Sequence, residues 1–507
     1  MPFPACRRLL PVAMSIASLG SALGAQTSIG AFESQTDVGN PRHAGSARYE
    51  PTRQDYVITG SGQNMWGDHD DFHFVWKRLT GNFILSARAR FTGKGLEAHR
   101  KIGWTIRPSL ATNSAHVTAA LHGDGLMSLQ FRRASGGITE EAKSRDSLPG
   151  GDAVIQLERR DGVYIMSVAR FGDTLTTQQL DAVTLPDTVY VGLFVCAHND
   201  SLVERAAFSN VRITIPPGRD FVAYRDYIGS NLEILDIANG NATIVHSYRG
   251  SFQAPNWTPD GKSLIYAQEG RLYRFDIGSR TAKAINTGLA TRNNNDHVLS
   301  FDGRMLGISN NAPEDSGASI VYTVPARGGT PKRITATGPS YLHGWSPDGR
   351  WLVYTGQRGG EFDIYRMASN GTGRESRLTS TPGLDDGPEY TPDGAYIYFN
   401  SVRSGRMQIW RMRPDGSAQQ QITNDGFNNW FPHISPDGKS MVYISFLPDV
   451  PADEHPFYKH VLIRLAPIGG GVARVIAYVF GGQGTINVPS WSPDGKRLAF
   501  VSNSAVP

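Results

Sequence analysis

The chain has 507 residues, 39% of them hydrophobic and 19% charged, with 56 Gly and 30 Pro, which is apolar enough to fold and long enough for two domains. Glycine at this frequency with few long apolar runs predicts short strands and many turns, and it argues against a helical bundle, a coiled coil or a polytopic membrane protein. A formal charge of +4 with no Lys/Arg run gives no electrostatic footprint for nucleic acid.

Arg7-Arg8, an apolar stretch from Leu9 to Leu23 and the small residues Ser21, Ala22, Gly24 and Ala25 read as a secretory signal peptide over residues 1–25. The mature protein is then expected in the periplasm or outside the cell, with no transmembrane segment. Cleavage removes Cys6 and leaves Cys196 alone, so no intramolecular disulfide can form. Cys196 lies in the apolar run Val195-Cys196-Ala197, as a buried small side chain does.

Residues 30–216 read as strands. Phe83, Leu85, Ala87, Ala89 and Phe91 alternate, as do Ile102, Trp104 and Ile106. Gly123-Asp124-Gly125 and Asp161-Gly162 mark hairpins. The closing runs Val191–Val195 and Ala207–Ile213 resemble the last strands of a concanavalin-like jelly roll, a fold that implies a carbohydrate-facing module. Within it, the run from Met65 to His73 places Trp66 among carboxylates and histidines. The alternation of Phe72, Phe74 and Trp76 favours a polar turn entering a core strand over a sugar-stacking cluster. Pro216-Pro217-Gly218 reads as a linker.

From residue 219 to 507 one pattern recurs: Trp257-Thr258-Pro259-Asp260-Gly261, then segments centred on Asp302, Asp348, Asp393, Asp437 and Asp494. Their spacings of 42, 46, 45, 44 and 57 residues fit one four-stranded propeller blade per repeat. Asp-Gly supplies a tight hairpin turn, and an alternating strand follows it. After Asp494 only one strand remains, whereas two unpaired strands, Leu232–Leu235 and Ala242–Val245, precede the first repeat. Joining the two ends closes a six-bladed ring without open edges. The predicted class is all-β, a β-sandwich followed by a six-bladed propeller.

The repeats resemble TolB-like propellers, a group that includes the periplasmic Tol-system component, propeller-bearing peptidases and certain polysaccharide lyases. The Tol component carries a mixed α/β domain before its propeller, and the β-rich segment here departs from that pattern. Oligogalacturonate lyases of this propeller type hold a metal with channel histidines, which makes a divalent metal plausible here without matching it residue by residue.

Innermost strands line a propeller's channel. Five positions before each repeat aspartate stand Pro255, His297, His343, Pro388, Pro432 and Pro489, and the neighbouring positions vary between blades. His297, His343, Glu389 and His433 are therefore the catalytic candidates, with His297, His343 and His433 as ligands for a divalent metal. Asn295, Asp296, Tyr341, Asp385, Asp386, Trp430 and Asn487 are the candidates for binding substrate. The alternative is a water-filled channel whose polar groups satisfy exposed backbone. The long last spacing contains an insertion over 446–459, either a lip over the channel or a surface excursion. Gly481–Thr485 offers close backbone approach to a ligand.

The sequence holds no Gly-x-Ser-x-Gly elbow, Rossmann fingerprint or Walker loop. Two functions remain. One is saccharide binding at the channel, with lyase or glycoside hydrolase chemistry. The other is a non-enzymatic Tol-like role docking a periplasmic protein partner, which predicts Tyr341, Trp430 and Phe431 exposed at the channel mouth.

Overall fold

The computed structural model describes residues 29–505, apart from 149 and 182 and the side chains of 143–146. The leader read over 1–25 lies outside the described residues. Among those described, no helix is long and apolar enough to cross a membrane.

The first half is two seven-stranded antiparallel sheets packed face to face. Alternation explains the packing: one side of every strand is apolar and must be covered. Leu193 pairs with Trp104 and Val195 with Ile102 across one sheet, and these face Leu85, Ile155 and Leu157 of the other in a single core. The expected hairpins lie between His116–His122 and Leu126–Arg132, and between Ala153–Arg160 and Val163–Arg170.

The polar run from Met65 to His73 is structural. Asp70 is fully buried and bonds two equally buried arginines, Arg107 and Arg132, at 3.2 and 2.7 Å. Asp71 accepts from the amides of Asn40 and Gln63, and Phe72 and Phe74 pack with Cys196. Burial pushes the Cys196 thiol up to about 11, so it carries no nucleophile at neutral pH.

The second half is a six-bladed propeller. Five blades are four-stranded sheets, beginning at Phe252, Asn293, Ser340, Asp385 and Asn428. The sixth joins the two ends of the domain: Arg497–Asn503 pairs antiparallel with Ser230–Asp236, which pairs with Ala242–Tyr248. Its inner segment meets the sheet through a bridge between Trp491 and Leu498.

The repeat follows from its turn. In every blade the hydroxyl two residues before the repeat aspartate, such as Thr258, Ser346 or Ser492, bonds that carboxylate at 2.5–2.6 Å. The same carboxylate accepts the amide two residues on, and the intervening glycine has positive φ. At Gly303 a Cβ would also stand 2.7 Å from Pro259 of the preceding blade.

The sandwich seals the outer edges of blades five and six. Gln54 exchanges two hydrogen bonds with the backbone of Ile244. Asn210 bonds Gly240 and Ala242 in the same way, and the Val475 amide donates to the Gly172 carbonyl at 2.8 Å. Edge strands that would otherwise expose pairing groups are thus covered.

Candidate functional site

Each complete inner strand of blades one to five carries a bulge, and the bulge decides which side chains reach the channel. His297 and His343 occupy the same repeat position, yet His297 pairs in its ladder opposite Ile308. His343 is instead the unpaired residue between Leu342 and Gly344. His343 therefore faces a cavity of about 420 Å³, whereas His297 does not line it.

His297 is fully buried, with its ring nitrogens 3.1 Å from the carbonyls of Asn295 and Ile265. Burial pushes its pKa down to about 4. Glu389 and His433 bond each other at 2.7 Å, and Glu389 also accepts the Ile434 amide at 2.9 Å. The other His433 nitrogen meets the Ile486 carbonyl. These bonds form part of a belt that ties neighbouring blades together. At the matching position of blade one, Asn256 accepts the Leu299 amide and donates to the Pro489 carbonyl.

The four residues expected to be catalytic thus do not converge. His297, His343 and His433 share no centre, and no group of three or more His, Cys, Asp or Glu among the described residues could hold a metal ion. The residues present do not fit the divalent ion expected from the sequence.

Of the residues expected to bind substrate, Asn295, Asp296, Tyr341, Asp386 and Asn487 line the cavity. Asp385 and Trp430 do not. Asp385 is buried against Arg403 at 2.7 Å. Trp430 and Phe431 are buried, at 0% and 2% exposure, which contradicts the exposed patch expected of a docking face. Their burial follows from the insertion: His455 folds down with its ring 4.5 Å from Trp430 and 5.4 Å from Phe431.

That insertion is a lip. It carries Asp453 and His455 into the cavity wall, neither of which the repeat pattern could place because it lies between repeats. Gly482 and Gln483 seat it: the Gln483 amide donates to Pro456 at 3.2 Å, and a Cβ on Gly482 would stand 2.0 Å from the same carbonyl. Phe457 and Tyr458 then pack against Phe221, Tyr224 and Tyr227 in the segment that precedes the first propeller strand.

The cavity is electrostatically divided. Asp386 accepts from Thr355 at 2.6 Å and from the Gly387 amide at 2.7 Å, with His343 Nε2 at 3.2 Å and His455 Nε2 at 4.0 Å. Burial opposes the Asp386 charge, but the His343 imidazolium outweighs it and holds the carboxyl at about 2. Burial likewise opposes the His343 charge, and Asp386 and Asp296 reverse that, lifting it to about 9. No donor among the described residues bonds the Asp296 carboxyl. Burial, with Asp386 nearby, raises it to about 7 against the pull of His343. Asp386 is therefore ionised at neutral pH while Asp296 still holds a proton about half of the time, an arrangement able to donate a proton. Phe431 stacks on His343 at 5.8 Å, and Tyr341 and Phe362 form an aromatic wall.

Comparison with known proteins agrees with the propeller. A family profile described as the TolB beta propeller domain matches residues 343–448. An uncharacterized protein of Agrobacterium fabrum, Atu1656, is 45% identical over 273 residues, which are 54% of this chain and 92% of that protein. The chain belongs to the TolB-type β-propeller family. A solved structure provisionally named TolB, from Agrobacterium tumefaciens, is 45% identical and covers 55% of this chain and 99% of its own, with a TM-score of 0.53. An oligogalacturonate lyase in complex with manganese is 16% identical, covering 50% of this chain and 74% of its own, with a TM-score of 0.33. At that distance it carries no argument about a metal or a sugar in this TolB-type propeller.

Proposed function

We propose that this TolB-type protein is periplasmic or secreted, binds a saccharide in its channel cavity and has the proton-transfer groups to hydrolyse it. The observation that carries this reading is the unpartnered Asp296 carboxyl beside the Asp386–His343 ion pair in a cavity walled by aromatic rings. Sugar rings stack on such walls while their hydroxyls take up polar groups, and Asn295 offers an amide nitrogen that is buried without a partner among the described residues. Asp296 would donate its proton to the leaving oxygen, while ionised Asp386, kept charged by His343, would stabilise the positive charge that develops on the sugar and accept the proton of the water that adds to it. Elimination is less well served, because His343 held protonated has no free electron pair with which to remove a proton. The location rests on the leader read over residues 1–25, and the sandwich fits the concanavalin-like class by its two antiparallel sheets.

The test is incubation with neutral and uronic oligosaccharides, with and without chelator, followed by mass spectrometry. The expected products gain one water, persist with chelator and disappear in Asp296→Asn. Unsaturated products would overturn the hydrolytic assignment, and chelator sensitivity would overturn the metal-free one.

A protein-docking role has one observation in its favour: Tyr224 and Tyr227 are exposed beside Phe457, on the outer side of the lip. Crosslinking from Tyr227 in intact envelopes should then recover one defined protein, and its absence would remove this reading.

A further inference from the structure

Between the sandwich and the propeller lies a second cavity, of about 330 Å³, that the channel chemistry does not use. Its walls are the outer face of one sandwich sheet and the edges of blades five and six. Ile84 and Val154 line one wall and Ile244, Val479 and Phe480 the other, and Ile213 and Lys77, from the core-facing side of the two sandwich sheets, also line it. Protein interiors leave few voids larger than a water molecule, so a gap of this size between apolar walls is a place for a ligand.

Its charges are unbalanced. Lys77, Arg88 and Arg212 contribute full positive charges to the lining and Glu233 the one carboxylate. Arg212 is held by Glu233. Arg88 is held by Asp152 and the Asn239 carbonyl, with its guanidinium 3.9 Å above the Phe171 ring. His460 is engaged by Glu158 at 3.0 Å. Lys77 is half-buried, and among the described residues no carboxylate or carbonyl bonds its ammonium.

We propose that this interdomain cleft binds a single-chain amphipathic carboxylate, with its aliphatic tail between the two apolar walls and its head at Lys77. The apolar walls account for the tail, and the uncompensated cation selects an anionic head over a neutral one. The ligand would bridge the two domains and add to an interface already held by the Arg212–Glu233 and His460–Glu158 pairs and by backbone and amide bonds.

Calorimetric titration of the full chain with decanoate and with decanol tests this directly. Decanoate should bind saturably and more tightly than decanol by about tenfold, the scale of one charge-assisted hydrogen bond. Lys77→Gln should remove that preference and leave decanol unchanged. Ser86→Trp, which projects into the cleft from the strand Phe83–Phe91, should abolish both. No saturable uptake of decanoate by the unmodified chain would overturn the proposal, as would an undiminished preference in Lys77→Gln. The Lys77 variant sits on a half-exposed side chain and keeps the test decisive even where the tryptophan variant folds poorly.

Discussion

Two buried ionic clusters in this molecule look alike in composition and differ in completeness. In the sandwich, Asp70 is met by Arg107 and Arg132, and the two guanidinium groups also bond the Ser109, Ala111, Ser114 and Gly67 carbonyls. In the propeller, Asp386 and His343 pair, but Asp296 beside them has no donor among the described residues. The first cluster spends its charges on holding a loop against a sheet. The second leaves a carboxyl unsatisfied in a cavity, which is what a ligand or a transferable proton requires.

The contrast can be broken most sharply at Asp70. Replacing it by alanine strands two arginines that cannot shed their protons, so stability should fall by about 3–5 kcal/mol. Denaturant titration measures this, and a loss within experimental scatter would place the two clusters in one class. Asp386→Asn should cost less, about 1–2 kcal/mol, because His343 can release its proton once the carboxylate is gone. The same variant should abolish turnover or binding of the channel ligand, read by product mass or calorimetry.

Proton linkage sharpens the comparison further. The folded pKa of Asp296, about 7, lies above its ordinary value of 3.8. Its contribution to stability is therefore fully present below about pH 4 and is lost as pH rises through 7. Asp296→Asn should flatten that part of the stability curve, so the variant should gain on the unmodified protein between pH 4 and 7 in melting temperature. Parallel curves would contradict the assignment. His343 acts in the same sense over a higher window, full below its ordinary 6.5 and lost through about 9. The smallest effect is expected at the exposed repeat turns. Asp348→Ala removes the bonds to the Ser346 hydroxyl and the Arg350 amide and should cost about 1 kcal/mol with no change in ligand binding.

Much of the fold was legible because its signals are local. The hydroxyl-Pro-Asp-Gly turn is complete within a few residues, so Asp260 to Asp494 counted the blades and exposed the unequal ends that Ser230–Asp236 and Arg497–Asn503 join. The site was legible only in part because it depends on bulges. His297 and His343 share a repeat position, and a one-residue difference in where the strand bulges sends one into a carbonyl cage and the other into the cavity. Glu389 and His433 were expected to join a channel site, but they do not line the cavity, and their pairing with each other and with the Ile434 amide serves the belt between blades. His455 carried no periodic signal at all. The long spacing pointed to its loop, and only packing against Trp430 brought it over Asp386.

The most direct test of the channel assignment is binding of a glycan library by the unmodified protein and by Asp386→Asn at about pH 6, where Asp296 keeps most of its proton. The expected result is a defined set of glycans retained by the unmodified protein and lost by the variant while both remain folded. Retention of no glycan by the folded protein, or of the same set by the variant, would contradict it.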